Sequence, residues 1–162
     1  MAQSVLRDGD IILIRARWWL HPLTRYDHAA LLYSRGLARY SIESGFSGVR
    51  DWPWPQIGSR PWIIMRPQCD ASTAYDAITW AMTQRGQPYA FWHLPAVIWR
   101  IMSARAYRRI KGHIYAQEAR VCSELVVDAY RAVGLDITPG VKRPTPDDIR
   151  HSEFVDYIGS II

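Results

Sequence analysis

The residues of this sequence best suited to covalent chemistry are its two cysteines and five histidines. Cys122 opens a segment whose apolar residues recur at helical spacing, at positions 125, 126, 129, 130 and 133. This spacing predicts that the sulfur lies in the first turn of a helix, on the face that packs against the core. Unpaired amides and the helix dipole there favour a nucleophilic thiolate, and the same amides could bind an oxyanion. Cys122 is therefore the candidate nucleophile; the alternative is a small buried hydrophobic residue.

A nucleophilic thiol needs a base and a group that orients the base. Among the histidines, His28 begins the apolar run HAALLY, where rigid neighbours would hold its imidazole. In the alternating segment RYSIE, Ser41 and Glu43 share one face, and either could reach His28 if the two segments pair as strands. A carboxylate at that position would also stabilise the imidazolium. The alternative is a structural strand histidine near a solvated glutamate.

Short apolar or alternating runs bounded by turn residues fill the first 66 residues and predict β-strands. These runs cover residues 10–14, 28–33, 39–43, 49–52 and 62–65. Helical periodicity follows in three segments, at residues 71–84, 94–110 and 122–133. Thr145-Pro146-Asp147-Asp148 predicts a further helix start, because it supplies a capping hydroxyl, an early proline and first-turn acids. A last strand is expected at 153–158, and strands followed mainly by helices predict an α+β fold.

Length and composition indicate one globular domain. The chain has 162 residues, of which 49% are hydrophobic, and its 8 Trp, 9 Tyr and 3 Phe supply a core, which excludes a disordered protein. The two cysteines have neither the spacing of a zinc site nor the number of a disulfide framework, and Cys69 is expected to be structural. No metal or cofactor is expected.

Several motifs together resemble a known family. Residues 86–89 (GQPY), followed by 121–126 (VCSELV), are similar to the G-x-P-Y … C-S-x-L-V segment of the NlpC/P60 papain-like cysteine enzymes. Here LRDGDIIL, DHAALLY and IESGF all precede the cysteine, an order similar to the circularly permuted YiiX/YebB-like branch, to which the lecithin–retinol acyltransferase group is related. The ending TPDDIRHSEFVDYI is also similar to that branch. The resemblance spans about residues 6–158.

The resemblance implies a single permuted papain-like domain over residues 1–162, with an antiparallel sheet or small barrel packed against helices. It implies Cys122 as nucleophile, His28 as base and Glu43 as the third catalytic residue. Tyr89 and Ser123 are implied as residues that line the oxyanion or substrate site. Two features depart from the family pattern: alanine stands at position 90, where the family often has Asp, and residues 91–120 form a longer segment, expected to be a helical insertion.

The expected insertion lies in a strongly basic part of the chain. The chain carries a net charge of +5, and residues 77–117 contain no acidic residue. Arginine and aromatic residues beside an apolar stripe favour an anionic lipid or membrane surface as partner. The residues expected to bind it are Arg100, Arg105, Arg108, Arg109 and Lys111. A groove for an anionic substrate and a core helix with one solvated face are the alternatives, whereas nucleic acid is not expected as a partner.

The function expected from these features is hydrolysis of an amide bond, in a cell-wall peptide or a related isopeptide, through an acyl-enzyme on Cys122. One alternative uses the same residues on a lipid ester, with Trp18 and Trp19 in a lipid-facing wall. Another is an inactive papain-like module for binding or assembly. The start of the chain lacks the pattern of a signal peptide and no window has the apolar length of a membrane span. We therefore expect cytoplasmic synthesis, with a peripheral membrane location or delivery by a phage or secretion particle as further possibilities.

Overall fold

The computed structural model describes residues 6–16, 24–45, 48–54, 60–87 and 122–161. Several predictions concern residues outside these ranges. They are the helix at 94–110 and the insertion around it, the basic residues of that segment, Tyr89, and the pair Trp18 and Trp19.

Six antiparallel strands form one sheet. They are β1 (Ile11–Arg15), β2 (Tyr26–Arg35), β3 (Ala38–Gly45), β4 (Gly48–Pro53), β5 (Trp62–Pro67) and β6 (Val155–Ile161). Their order across the sheet is β4-β3-β2-β1-β5-β6, and each neighbouring pair is antiparallel. In the part of the chain that the structure describes, β4 and β6 are the two edges, so the sheet is open. Of the two arrangements expected, the sheet is found and the barrel is not.

Each predicted strand is present, with shifted ends. The strand predicted at 28–33 extends from Tyr26 to Arg35, because polar residues at both ends continue the backbone pairing with β1 and β3. The last strand begins later than the predicted residue 153, because residues 153 and 154 form a turn and pairing with β5 runs from Val155 to Ile161. Gly159 and Ser160 belong to β6 through their backbone pairing alone.

The structure describes three helices: α1 (Ala71–Thr83), α2 (residues 122–132) and α3 (Pro146–His151). The helix start predicted at Thr145 is confirmed. The Thr145 hydroxyl accepts from the N–H of Asp148 and the Asp148 carboxylate accepts from the N–H of Thr145, a reciprocal cap that satisfies two end donors. In α1 the buried face consists of Ala74, Ala77, Ile78 and Ala81. Tyr75, which the periodicity assigned to the apolar stripe, is 67% exposed.

The sheet separates two apolar clusters. The larger one contains residues of β1, β2, β3 and β5 together with the buried faces of α1 and α2 and Ile149 of α3. The smaller one lies on the opposite face of the sheet and consists of Leu6, Ile12, Ile14, Leu32, Trp62 and Ile64. A sheet packed against helices confirms the α+β class. Among the described helices, none has the length and apolar character needed to cross a membrane.

Candidate active site

Cys122 lies in the interior, where α2 packs against the sheet. It is the first described residue of α2 and has no exposed surface. It belongs to the same buried cluster as Leu125 and Val126 of its own helix and Ala29 of β2, as the apolar spacing predicts. Cys69, like Cys122, is a free thiol.

The sulfur of Cys122 lies where the pairing of β2 with β3 has ended. The ladder between these strands stops at the pair Leu31 and Ile42. The N–H of Leu32 donates toward β1, to the carbonyl of Asp10. Because successive N–H groups of a strand point to opposite sides, the N–H groups of odd-numbered residues of β2 point toward β3. The N–H of Ala29 therefore has no β3 ladder partner, and it donates instead to Sγ of Cys122 at 3.2 Å. This contact places a backbone donor against the sulfur.

The imidazole of His28 is bound to the carboxylate of Glu43. Nε2 of His28 lies 2.5 Å from Oε2 of Glu43, and the two side chains expose only 14% and 20% of their surface. The strands that carry them pair as expected. Of the two orienting groups that the sequence left open, Glu43 makes this contact, and Ser41 is buried opposite Leu32.

The groups around His28 favour its protonated form. Burial acts to lower the pKa of His28, but the charge of Cys122 and its hydrogen bond with the ring raise it. The hydrogen bond and charge of Glu43 raise it further. The raising effects outweigh burial, and the pKa of His28 lies well above its usual value of 6.5. The ring therefore stays protonated to higher pH than an ordinary histidine.

The two ring nitrogens of His28 divide between two partners. Nε2 is engaged by Glu43, which leaves Nδ1 as the nitrogen available to exchange a proton with Sγ of Cys122. A carboxylate that holds one nitrogen fixes the ring's orientation and stabilises the imidazolium. Sulfur, imidazole and carboxylate thus have an arrangement that can activate a thiol as a nucleophile.

The two residues predicted to line the oxyanion or substrate site have different outcomes. The hydroxyl of Ser123 is buried and donates to the carbonyl oxygen of Pro144 at 2.6 Å, so it joins α2 to the residues before α3. A contribution of Ser123 to an oxyanion site would therefore come from its backbone N–H. Tyr89 lies outside the described residues.

Cys69 has the surroundings of a structural cysteine. It is partly buried and packs against the larger apolar cluster. Burial and then the charge of Asp70 raise the pKa of the Cys69 thiol, which keeps it neutral and weakly nucleophilic. This agrees with the structural role expected for it.

An ion pair next to His28 was not predicted from the sequence. The Asp27 side chain is 4% exposed and accepts two hydrogen bonds, of 2.8 and 2.6 Å, from Nη1 of Arg60. Asp27 is also a β-bulge residue, because Ile14 pairs with His28 whereas the next residue of β1 pairs with Tyr26. The one signal in the sequence was an acidic residue directly before His28; nothing marked Arg60, which is 33 positions away.

Comparison with known proteins adds no family to this description. No protein-family model matches the chain, and no curated protein matches it. The resemblance of the motifs therefore stays a prediction, and the chemistry open to the chain follows from the geometry of Cys122, His28 and Glu43. Within the described ranges, no group of three or more His, Cys, Asp or Glu side chains is arranged to hold a metal ion.

Proposed function

We propose that the protein is a cysteine hydrolase that cleaves an amide bond, with Cys122 as nucleophile, His28 as base and Glu43 as the group that orients His28. The observation that carries the proposal is the position of one imidazole between a sulfur and a carboxylate. These three residues come from α2, β2 and β3 and are far apart in the sequence. We further propose that the fold is a permuted papain-like one, because the histidine strand precedes the cysteine helix.

The proposed reaction has two half-reactions. The Cys122 thiolate attacks the amide carbonyl to form a carbon–sulfur bond, and the tetrahedral oxyanion collapses with cleavage of the carbon–nitrogen bond. The His28 imidazolium gives its proton to the departing amine. Water then attacks the thioester and gives a proton to His28, and the carboxylic acid leaves as the carbon–sulfur bond breaks, which restores the Cys122 thiolate and the His28 imidazolium. Glu43 stabilises the imidazolium, and the N–H of Ala29 supports negative charge on the sulfur.

The proposed substrate is a cell-wall peptide or a related isopeptide, and this choice rests on the motif resemblance. Since Cys122 has no exposed surface, attack requires movement of the residues that cover it. The accessibility of the sulfur is therefore part of what an experiment must measure. A small neutral alkylating reagent reports both access and nucleophilicity.

Iodoacetamide labelling at neutral pH, followed by mass spectrometry, tests the catalytic pair. We expect Cys122 to be labelled at least tenfold faster than Cys69, because burial and the charge of Asp70 raise the pKa of the Cys69 thiol, whereas Cys122 interacts with His28. His28→Ala removes that advantage and leaves Cys69 as an internal control in the same molecule. Labelling of Cys122 that does not change in His28→Ala would contradict the proposal and favour an inactive binding module.

Turnover on purified peptidoglycan, measured as release of amino groups, tests the reaction. We expect Cys122→Ser to reduce turnover on the order of 10³-fold or more, as when a nucleophile is removed from a catalytic triad. Cys69→Ser is the matched control and retains turnover. Release of fatty acid from phospholipid vesicles, without release of amino groups from the wall, would replace the amidase with a lipid enzyme that uses the same residues.

A further inference from the structure

A cavity of mixed polar and apolar lining opens at the end of the sheet where β2 begins. Its volume is about 270 Å³, and the residues that line it include Arg15, Tyr26, Ile63, Arg150, Tyr157 and Ser160. It is formed by strands β1, β2, β5 and β6 and by the last turn of α3, so regular elements form its walls.

The cavity carries two positive charges and no acidic residue. Arg15 and Arg150 both line it, and neither has an ion-pair partner among the residues that the structure describes. Other arginines of the described fold do pair with carboxylates; these are Arg60, Arg66, Arg85 and Arg131. The guanidinium of Arg150 lies 5.0 Å from the ring centre of Tyr157, which holds it against the cavity wall. Two guanidinium groups that lack a carboxylate therefore share one small cavity.

The chemistry of this lining selects a carboxylate. A guanidinium presents a planar set of N–H donors that matches the two oxygens of a carboxylate. The hydroxyl of Ser160 is a further polar group in the lining, and Tyr26 and Ile63, which belong to the larger apolar cluster or pack against it, offer apolar surface to the atoms that carry the acid. A volume of about 270 Å³ suits one acidic side chain with its adjoining backbone rather than a large headgroup.

The cavity adjoins the candidate active site. Tyr26, in its wall, is two positions from His28 on β2, a distance of about 7 Å along a strand. Asp147 of α3 accepts hydrogen bonds from the hydroxyl of Thr24, at 2.6 Å, and from the N–H of Arg25, at 3.0 Å. These bonds fix the helix that carries Arg150 to the start of the His28 strand.

The same helix is joined to the cysteine side of the site. Ser123, the neighbour of Cys122, donates its hydroxyl proton to the carbonyl of Pro144, and Thr145 then caps α3. α3 is thus attached both to the segment before His28 and to the residue after Cys122. A group held by Arg150 has a defined position relative to both catalytic residues.

We infer that this cavity is a subsite for the substrate, in which Arg15 and Arg150 bind a carboxylate close to the amide bond that is cleaved. The substrate is then an acidic peptide rather than a neutral one. The catalytic meaning of the subsite rests on the proposed function, whereas the binding of a carboxylate by the two arginines does not.

Calorimetric titration of Cys122→Ser protein, in which turnover is expected to be too slow to disturb the measurement, tests the subsite. The probes are the acetylated and amidated tripeptides Ala-Glu-Ala and Ala-Gln-Ala, which differ by one charge and keep the same shape. We expect the glutamate peptide to bind at least tenfold more tightly and this preference to weaken with salt. Arg15→Gln and Arg150→Gln each reduce the preference to less than threefold, whereas Arg143→Gln, at an exposed arginine outside the cavity, retains it.

Equal affinity for the two peptides, or a preference that survives both substitutions in the cavity, would overturn the subsite. Inorganic phosphate and phosphatidylglycerol vesicles are titrated in parallel. Tighter binding of the vesicles than of the glutamate peptide, lost in both cavity variants, would assign the cavity to a phosphate headgroup instead. Iodoacetamide carries no carboxylate, so His28-dependent labelling of Cys122 reports on the catalytic pair separately. If Cys122 is labelled in a His28-dependent way but the two peptides bind equally, the subsite is wrong and the proposed hydrolase still stands.

Discussion

His28 owes its proton affinity to two neighbours of different kinds. Cys122 acts through its charge and a hydrogen bond from the buried side, and Glu43 acts through a short hydrogen bond from the neighbouring strand. Burial of the ring opposes both. Because the raising effects of Cys122 and Glu43 exceed the lowering effect of burial, His28 differs from a buried histidine without such partners, whose pKa falls below 6.5.

Removal of either neighbour is therefore expected to lower the pKa of His28, which an NMR titration of the ring signals measures directly. Cys122→Ala should lower it most, because Cys122 makes the largest raising contribution, and Glu43→Gln should lower it by less. In both variants the ring loses its proton at lower pH than in the unsubstituted protein. Glu153→Gln, which removes an exposed carboxylate elsewhere, is the control. An unchanged His28 pKa in both site variants would mean that neither group interacts with the ring in solution.

The residue types of the site could be predicted from the sequence, but their supporting contacts could not. Cys122 and His28 stood out because each begins an apolar segment of clear periodicity, and Glu43 because alternation places it on one face of a strand. The bond from the Ala29 N–H to sulfur depends on where the β2–β3 ladder ends, which no side-chain pattern records. The carboxylate of Asp27 was visible, but its partner Arg60 belongs to another part of the sheet.

The strand β2 shows how an element positions a functional side chain. Its pairing with β1 is regular up to His28 and is then interrupted by the bulge at Asp27. A bulge leaves one residue unpaired and bends its strand, so the direction of the next side chains depends on what holds that residue. Here Arg60 holds Asp27 by two hydrogen bonds and also donates to the carbonyl of Arg15 in β1. The ion pair therefore joins both strands at the bulge.

Loss of Arg60 should destabilise the protein, because the buried carboxylate of Asp27 would remain without its charge partner. We expect Arg60→Met to lower the free energy of unfolding by on the order of 3 kcal/mol, because Asp27 is almost fully buried and loses its charge partner. The double variant Asp27→Leu with Arg60→Met should recover most of that loss, since no buried charge remains. Urea unfolding of both single variants and the double variant measures the coupling. Additive losses in the double variant would show that the pair does not act as a unit.

Side-chain patterns predicted which segments form strands, whereas the ends of the strands and their order across the sheet depend on backbone pairing. β6 extends through Gly159 and Ser160, which have little strand propensity, because β5 supplies hydrogen-bonding partners for their backbone. β5 lies next to β1 rather than next to β4, the strand that precedes it in the chain. Short apolar runs can pair with any neighbour of similar pattern, so the sequence predicted that strands fill the first 66 residues but not the order in which they pair.

The two helices on the larger face of the sheet meet the segment before β1 at Gly9. Its carbonyl oxygen accepts a hydrogen bond of 2.5 Å from the hydroxyl of Tyr130 on α2. A Cβ at this position would lie 2.6 Å from Cβ of Ala74 on α1 and 2.9 Å from the Tyr130 hydroxyl. The backbone of Gly9 also has a φ of +90°, in the region that favours glycine. The close approach of α1 and α2 to the segment before β1 therefore depends on the absence of a side chain at Gly9.

Gly9→Ala is expected to lower the free energy of unfolding by about 2 to 5 kcal/mol, the sum of a left-handed backbone penalty and overpacking between α1 and α2. Gly36→Ala is the matched control, because Gly36 also has a positive φ, of +61°, but an added Cβ there meets nothing within 4 Å. It should cost only the backbone part, about 1 kcal/mol. Urea unfolding followed by tryptophan fluorescence compares the two variants. If the two variants lose the same free energy of unfolding, the helices can separate at Gly9 without cost. The contact at Gly9 then does not set the distance between the helices and the start of the sheet.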